Sequence, residues 1–168
     1  MIAPKPSRAV DVEGSDAVSR VLLALLNDFP GLKGKVIQFS TLEEDKGLGF
    51  FPTSGAAILS NVEDILGKVN QSCLYPFDVI YRASTKSENQ KIGIKEFLDG
   101  LGKWLERQPV VIDNITYKLD SYPALQSGNR EIKNINRASP AYLYAIYENG
   151  VEDWRISLSL KYDNEFTK

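Results

Sequence analysis

Apolar residues recur at two different spacings along this chain, and the changes of spacing divide it into elements. Val18, Val21, Leu22, Leu25 and Leu26 form a stripe at helical spacing, which predicts a helix over residues 16–27. Ser15 offers a hydroxyl to the orphan amides of its first turn, and Asp16 suits the positive end of its dipole. Asp28-Phe29-Pro30-Gly31 ends it. A second helical face is built from Ile94, Phe97, Leu98, Leu101, Trp104 and Leu105. Before it, Thr85…Glu88 and Ser87…Gln90 both have capping-box spacing, and Gln108-Pro109 closes it. Trp104 continues the apolar face and is expected between helix and sheet. Gly100 and Gly102 weaken helix propensity, which points to a close backbone approach there, to the sheet.

The other segments carry strand patterns. Val36, Ile37 and Phe39 mark a strand over 35–40. A second, within 50–60, is broken at Pro52 and Gly55 and reads as a bent edge or as two short pieces. A third covers 68–81, with Pro76 suggesting a bulge or an edge. After the second helix, Val110-Val111-Ile112 and 115–119 flank Asp113-Asn114, a two-residue turn. Residues 131–137 read as a half-buried strand. Asn149-Gly150 is the strongest hairpin signal, and 154–162 beyond it alternates with apolar residues at even positions. Residues 141–147 fit a strand or a helical turn.

Residues 1–14, with Pro4 and Pro6, read as a flexible arm, and 15–168 as a single α+β domain. The order is α-βββ-α-βββ, without the strand–helix alternation of a doubly wound sheet. Short turns imply antiparallel neighbours, and each helix has one apolar stripe. An antiparallel sheet with two helices packed on one face satisfies both facts.

Composition narrows the chemistry. The 168 residues hold 20 Lys+Arg against 22 Asp+Glu, a net charge of −2, so a dedicated nucleic-acid binder is disfavoured. With one cysteine, Cys73, an internal disulfide and a Cys-based zinc site are excluded. With no histidine, a Ser-His-Asp triad, a His-ligated metal and a His general base are excluded as well. These counts favour a binding or assembly protein over an enzyme, with no cofactor and no metal. The first residues have no apolar stretch typical of a signal peptide, and the run Val21–Leu26 of six is far short of the roughly 20 needed to span a bilayer.

Local motifs add little catalysis. Gly31-Leu32-Lys33-Gly34-Lys35 is too short for a phosphate loop and precedes a strand. Ser54 lacks both the leading glycine of a nucleophile elbow and a histidine to activate it. Cys73 reads as a buried structural thiol. Glu43-Glu44-Asp45-Lys46 reads as a solvated loop between strands, since a nuclease would need a further carboxylate upstream. Tyr142, Tyr144, Tyr147 and Trp154 cluster beyond what a small core needs, as a sheet-face ladder or as a protein interface.

Several separated motifs carry a resemblance: Ile37-Gln38-Phe39-Ser40-Thr41, the Glu43–Gly47 loop, Phe51-Pro52-Thr53-Ser54-Gly55, Cys73-Leu74-Tyr75-Pro76-Phe77, Leu101-Gly102-Lys103-Trp104-Leu105-Glu106, Ser139-Pro140 and Tyr162-Asp163-Asn164-Glu165-Phe166. Over residues 15–168 the chain resembles minor capsid or tail-completion proteins of tailed bacteriophages, similar to the tail-terminator group. The resemblance implies an antiparallel sheet with helices on one face and a homo-hexameric ring at the head-proximal end of the tail tube. Such a ring ends tube polymerisation and joins the tail to the head connector. The implied partners are further copies of the chain, the tail tube protein and the head–tail connector protein, with DNA passing through without specific binding and no membrane. The implied location is the virion tail, reached through the host cytoplasm during assembly. Another head–tail connector or a minor capsid protein is the alternative role. No catalytic residue carries over. The candidate ring or tube surface comprises the loop residues Glu43, Glu44 and Asp45 and the aromatics Phe50, Phe51, Tyr142, Tyr144 and Tyr147.

Overall fold

The computed structural model describes residues 9–168. Its spine is a pair of 17-residue strands, β4 (Lys68–Ser84) and β9 (Val151–Thr167), paired antiparallel from end to end. At about 3.4 Å per residue that ladder is roughly 55 Å long. On the β4 side, β3 (Ala57–Glu63) pairs one half of the strand and β2 (Gly47–Pro52) the other, with β1 (Ile37–Phe39) outside β2. On the β9 side, β7 (Asn129–Arg137) and β8 (Tyr142–Ile146) divide the length in the same way. A separate hairpin pairs β5 (Val110–Ile112) with β6 (Ile115–Tyr117). Its turn residues Asp113 and Asn114 both have positive φ, as a two-residue type I′ turn requires.

The fold class is α+β, with a mostly antiparallel sheet and two helices on one of its faces. Register explains why. Cys73, Tyr75, Phe77, Val79 and Tyr81 of β4 stand opposite Tyr162, Leu160, Leu158, Ile156 and Trp154 of β9, so a single face receives all the large aromatic side chains of this stretch of the spine and most of its buried aliphatic ones. α1 (Val12–Asn27) and α2 (Glu88–Leu105) cover that face. The Ser19 and Tyr75 hydroxyls meet at 2.7 Å, and the Phe97 and Tyr81 rings lie 5.6 Å apart. Trp104 is buried, and the ring of Phe29, just beyond α1, packs against it at 5.5 Å. Gly102 is the close approach: a Cβ there would fall 2.5 Å from Arg137 and 2.9 Å from Ile156. Gly100 is not one, since its nearest neighbour would be an ordinary contact at 3.9 Å.

Several boundaries differ from the sequence reading. Four strands precede α2 and five follow it, because the broken second strand is two strands and residues 141–147 contain β8. Pro76 causes no bulge in the β4–β9 ladder but does sit at a local edge, one of the two alternatives expected, since neither β3 nor β2 pairs with it. Its carbonyl accepts from Thr53 N at 3.1 Å, so its nitrogen points the same way, into the gap where β3 ends and β2 begins, and no ladder bond is lost. β1 and β2 are parallel, although only residues 40–46 join them. Ser40 takes a positive φ of 49°, and the link doubles back across the edge of the sheet.

The expected arm of residues 1–14 is also corrected in part. Residues 1–8 lie outside the described residues. Residues 9–14 are bound into the fold: Val10 bridges Ala57, Ile58 N donates to Ala9 O at 2.9 Å, and Asp11 N donates to Ala56 O at 2.9 Å. α1 therefore starts at Val12 with Asp11 as its N-cap. Ser15 instead accepts from Ala56 N at 2.6 Å.

Candidate functional site

Neither α1 nor α2 lies on the second face of the sheet. Alternation along β4 and β9 places Leu74, Pro76, Asp78, Ile80 and Arg82 there, opposite Lys161, Ser159, Ser157, Arg155 and Asp153. A sheet face open to water ordinarily carries small or flexible polar groups. This one carries two arginines: Arg82 is held by one tyrosine and a carboxylate, and Arg155 by two tyrosines and a carboxylate.

Arg82 and Asp153 are cross-strand partners, and their ion pair is bidentate: Nε to Oδ1 at 2.7 Å and Nη2 to Oδ2 at 2.9 Å. The Tyr147 hydroxyl donates to Asp153 Oδ2 at 2.7 Å, and the Arg82 guanidinium lies 5.3 Å from the Tyr147 ring centre. Asp153 is buried beneath them. Burial opposes its ionisation, but the hydrogen bonds from Arg82 and Tyr147 prevail and hold its carboxyl below the ordinary value. The same bond to Asp153 raises the Tyr147 hydroxyl, which stays protonated at neutral pH. Arg82 Nη1 also donates to Glu43 O at 3.0 Å.

Arg155 is the second centre. Its guanidinium lies 4.1 Å from the Tyr144 ring centre and 5.4 Å from that of Tyr142. Nε donates to the Tyr142 hydroxyl at 2.9 Å, and Asp78, which accepts from Ser157 at 2.7 Å, stands 3.6 Å from Nη1. A register shift between Leu143 and Ala145 makes Tyr144 the extra residue of a bulge, which aims its ring over Arg155. Such stacking, worth about 0.5–1 kcal/mol at an exposed site, fixes the rings in place before any partner arrives.

The structure therefore gathers some of the expected surface residues and separates others. Tyr142, Tyr144 and Tyr147 share the open face, half-covered by their own arginines. Phe51 is on it too, and its ring lies over Gly49, where a Cβ would meet it at 2.4 Å. Glu43 and Glu44 come close to this group, because the 40–46 link returns over the same side: Glu44 shares a shallow hollow with Arg82, Tyr147 and Asn149. Asp45 is exposed on that link. Phe50 is a correction. It is 0 % exposed, with its ring packed 5.4–5.5 Å from Phe39 and Phe77, because it is one residue out of phase with Phe51 and points into the core.

A buried polar cluster on the helix-covered side has no counterpart in the sequence reading. Asp11 accepts from Gly14 N (3.1 Å), from Arg130 Nε (2.9 Å) and Nη2 (2.8 Å), and from the Tyr162 hydroxyl (2.7 Å). Burial opposes the Asp11 charge, yet Arg130 and Tyr162 keep its carboxyl below the ordinary range. Burial and the bond to Asp11 drive the Tyr162 phenol far up. Burial also raises the nearby Cys73 thiol, which is a structural side chain. Among the described residues, no group of three or more Cys, Asp or Glu side chains is placed to share a metal ion. No helix among them is long and apolar enough to cross a membrane. No family model matches the chain, and no curated protein matches it.

Proposed function

We propose that the chain is a structural phage protein, a tail terminator that forms a homo-hexameric ring at the head-proximal end of the tail tube. It ends tube polymerisation there and joins the tail to the head connector. The observation that carries the reading is the open sheet face, where Tyr142, Tyr144 and Tyr147 are locked by Arg155, Arg82 and Asp153. Aromatic and arginine side chains dominate protein interfaces, and rings that are already ordered lose little entropy on contact. The separated motifs from Ile37 to Phe166 supply the family in which such a face would meet tube or neighbour.

Imaging of assembled tails tests the reading. A six-fold ring of this chain at the head-proximal end of the tube is expected, and a chain carrying Tyr144→Ser and Tyr147→Ser should leave tubes of unregulated length. A single off-axis copy, or a location on the capsid away from the tube, overturns the terminator role and leaves the connector or minor capsid role.

A further inference from the structure

The turn between β3 and β4 carries two apolar side chains that touch almost nothing. Ile65 is 101 % exposed and Leu66 is 82 % exposed. The turn is nevertheless firmly built. Asp64 Oδ1 accepts from Leu66 N and from Lys68 N, both at 2.9 Å, and Asp64 N donates to Lys68 O at 3.0 Å. Gly67 takes the positive φ of 84° that closes the turn, and its carbonyl accepts from Lys168 N at 2.9 Å. An ordered tip that holds an isoleucine and a leucine in water has the form of a knob without a socket.

A socket of matching character lies at the opposite end of β4. Val36, Leu48, Tyr81 and Ala83 line a groove of about 530 Å³, together with Lys35, Lys46 and Glu43. Val36 is exposed within it. Of the carboxylates beside the apolar pair, Glu63 is paired with Lys168 at 3.0 Å, and Asp64 has no lysine or arginine nitrogen within 4 Å among the described residues. Lys35 has no carboxylate within 4 Å among the described residues, whereas Lys46 is 3.9 Å from Glu43. Apolar surface thus faces apolar surface, and the unpaired carboxylate of Asp64 meets the unpaired ammonium of Lys35. Tip and groove are separated by some 14 residues of continuous strand, about 45 Å, so one chain cannot bring its own two ends together.

We infer that the Ile65–Leu66 tip of one copy docks in the Val36–Tyr81 groove of the next. This contact joins two different surfaces and is therefore heterologous, the kind a closed ring requires. The inference rests on the ring reading above and names the contact that would build the ring.

Cross-linking tests it. One chain carries Leu66→Cys and another Val36→Cys; both positions are exposed, and Cys73 is buried and does not interfere. The two are mixed at about 1 mM, where a contact of millimolar Kd is half-populated, and oxidised gently. The disulfide-linked dimer should form at least about tenfold faster in the mixture than in either variant alone, because a specific contact raises the local thiol concentration. Leu66→Asp should abolish self-association of the chain while its circular dichroism is unchanged. Fast cross-linking in the Leu66→Cys chain alone would show tip meeting tip and overturn the inference. An oligomer by sedimentation with no selective cross-link would overturn it and leave the ring reading intact. A monomer without a cross-link at this concentration overturns it too, and the ring reading is then decided separately by the imaging of assembled tails.

Discussion

Replacing Asp11 by alanine removes a carboxylate that four donors share: Gly14 N, two nitrogens of Arg130 and the Tyr162 hydroxyl. The side chains of Asp11 and Arg130 are only 8 % and 9 % exposed. Water therefore cannot take over the lost bonds. Removing one member of such a pair leaves the other charge buried and uncompensated, at a cost of about 3–5 kcal/mol. The lost N-cap, about 1 kcal/mol on its own, lies within that range rather than on top of it. Against a typical stability of about 5–15 kcal/mol, this is a large fraction. For a domain of this size it corresponds to a fall in Tm of roughly 6–20 °C. Urea unfolding followed by tryptophan fluorescence reads the change. The double variant Asp11→Ala/Arg130→Met should be less destabilised than Asp11→Ala alone, because the orphaned guanidinium is gone. A loss under about 1 kcal/mol for Asp11→Ala would refute the reasoning and return residues 9–14 to the status of a loose arm.

Three further predictions concern the same framework. Trp104→Ala empties a buried site beside Phe29 and should cost about 3–5 kcal/mol in urea unfolding. Asn27→Ala should cost about 1–3 kcal/mol, because the Asn27 side chain accepts from Ile37 N (2.9 Å) and donates to Ile37 O (3.0 Å) at the outer edge of β1; loss of hydrogen-exchange protection at Ile37 would show the site of the damage. Asp11 and Asp153 have folded-state pKa values below those of the unfolded chain, so their contribution is complete above the unfolded value of about 3.9 and disappears as pH falls through the folded ones. Stability should therefore decline below about pH 4, and Asp153→Asn should flatten that decline in acid-titrated denaturation curves.

Much of the fold was legible in local pattern. The even positions 154–162 alternate because one side of β9 is core, and that periodicity survives whatever the strand pairs with. The stripe from Ile94 to Leu105 and the Ser87 cap defined α2, and Asp113-Asn114 and Asn149-Gly150 marked their turns, because helix faces, caps and positive-φ turns involve residues close in the chain. What pattern could not supply were contacts between distant residues. Asp11 and Arg130 are 119 positions apart, and neither has a local feature that announces the other. Arg82 and Asp153 read as ordinary surface charges until the β4–β9 register sets them side by side. Phe50 and Phe51 are indistinguishable as a pair; only the register of β2 against β4 sends the first into the core and the second to the open face. The acidic link 40–46 was expected between strands, but its return over the open face follows from the parallel pairing of β1 with β2, a choice made by burying Ile37 and Leu48 together. Local periodicity determined which elements exist and which side of each is apolar. Strand order and register, chosen by the burial of the whole sheet face, decided which side chains meet.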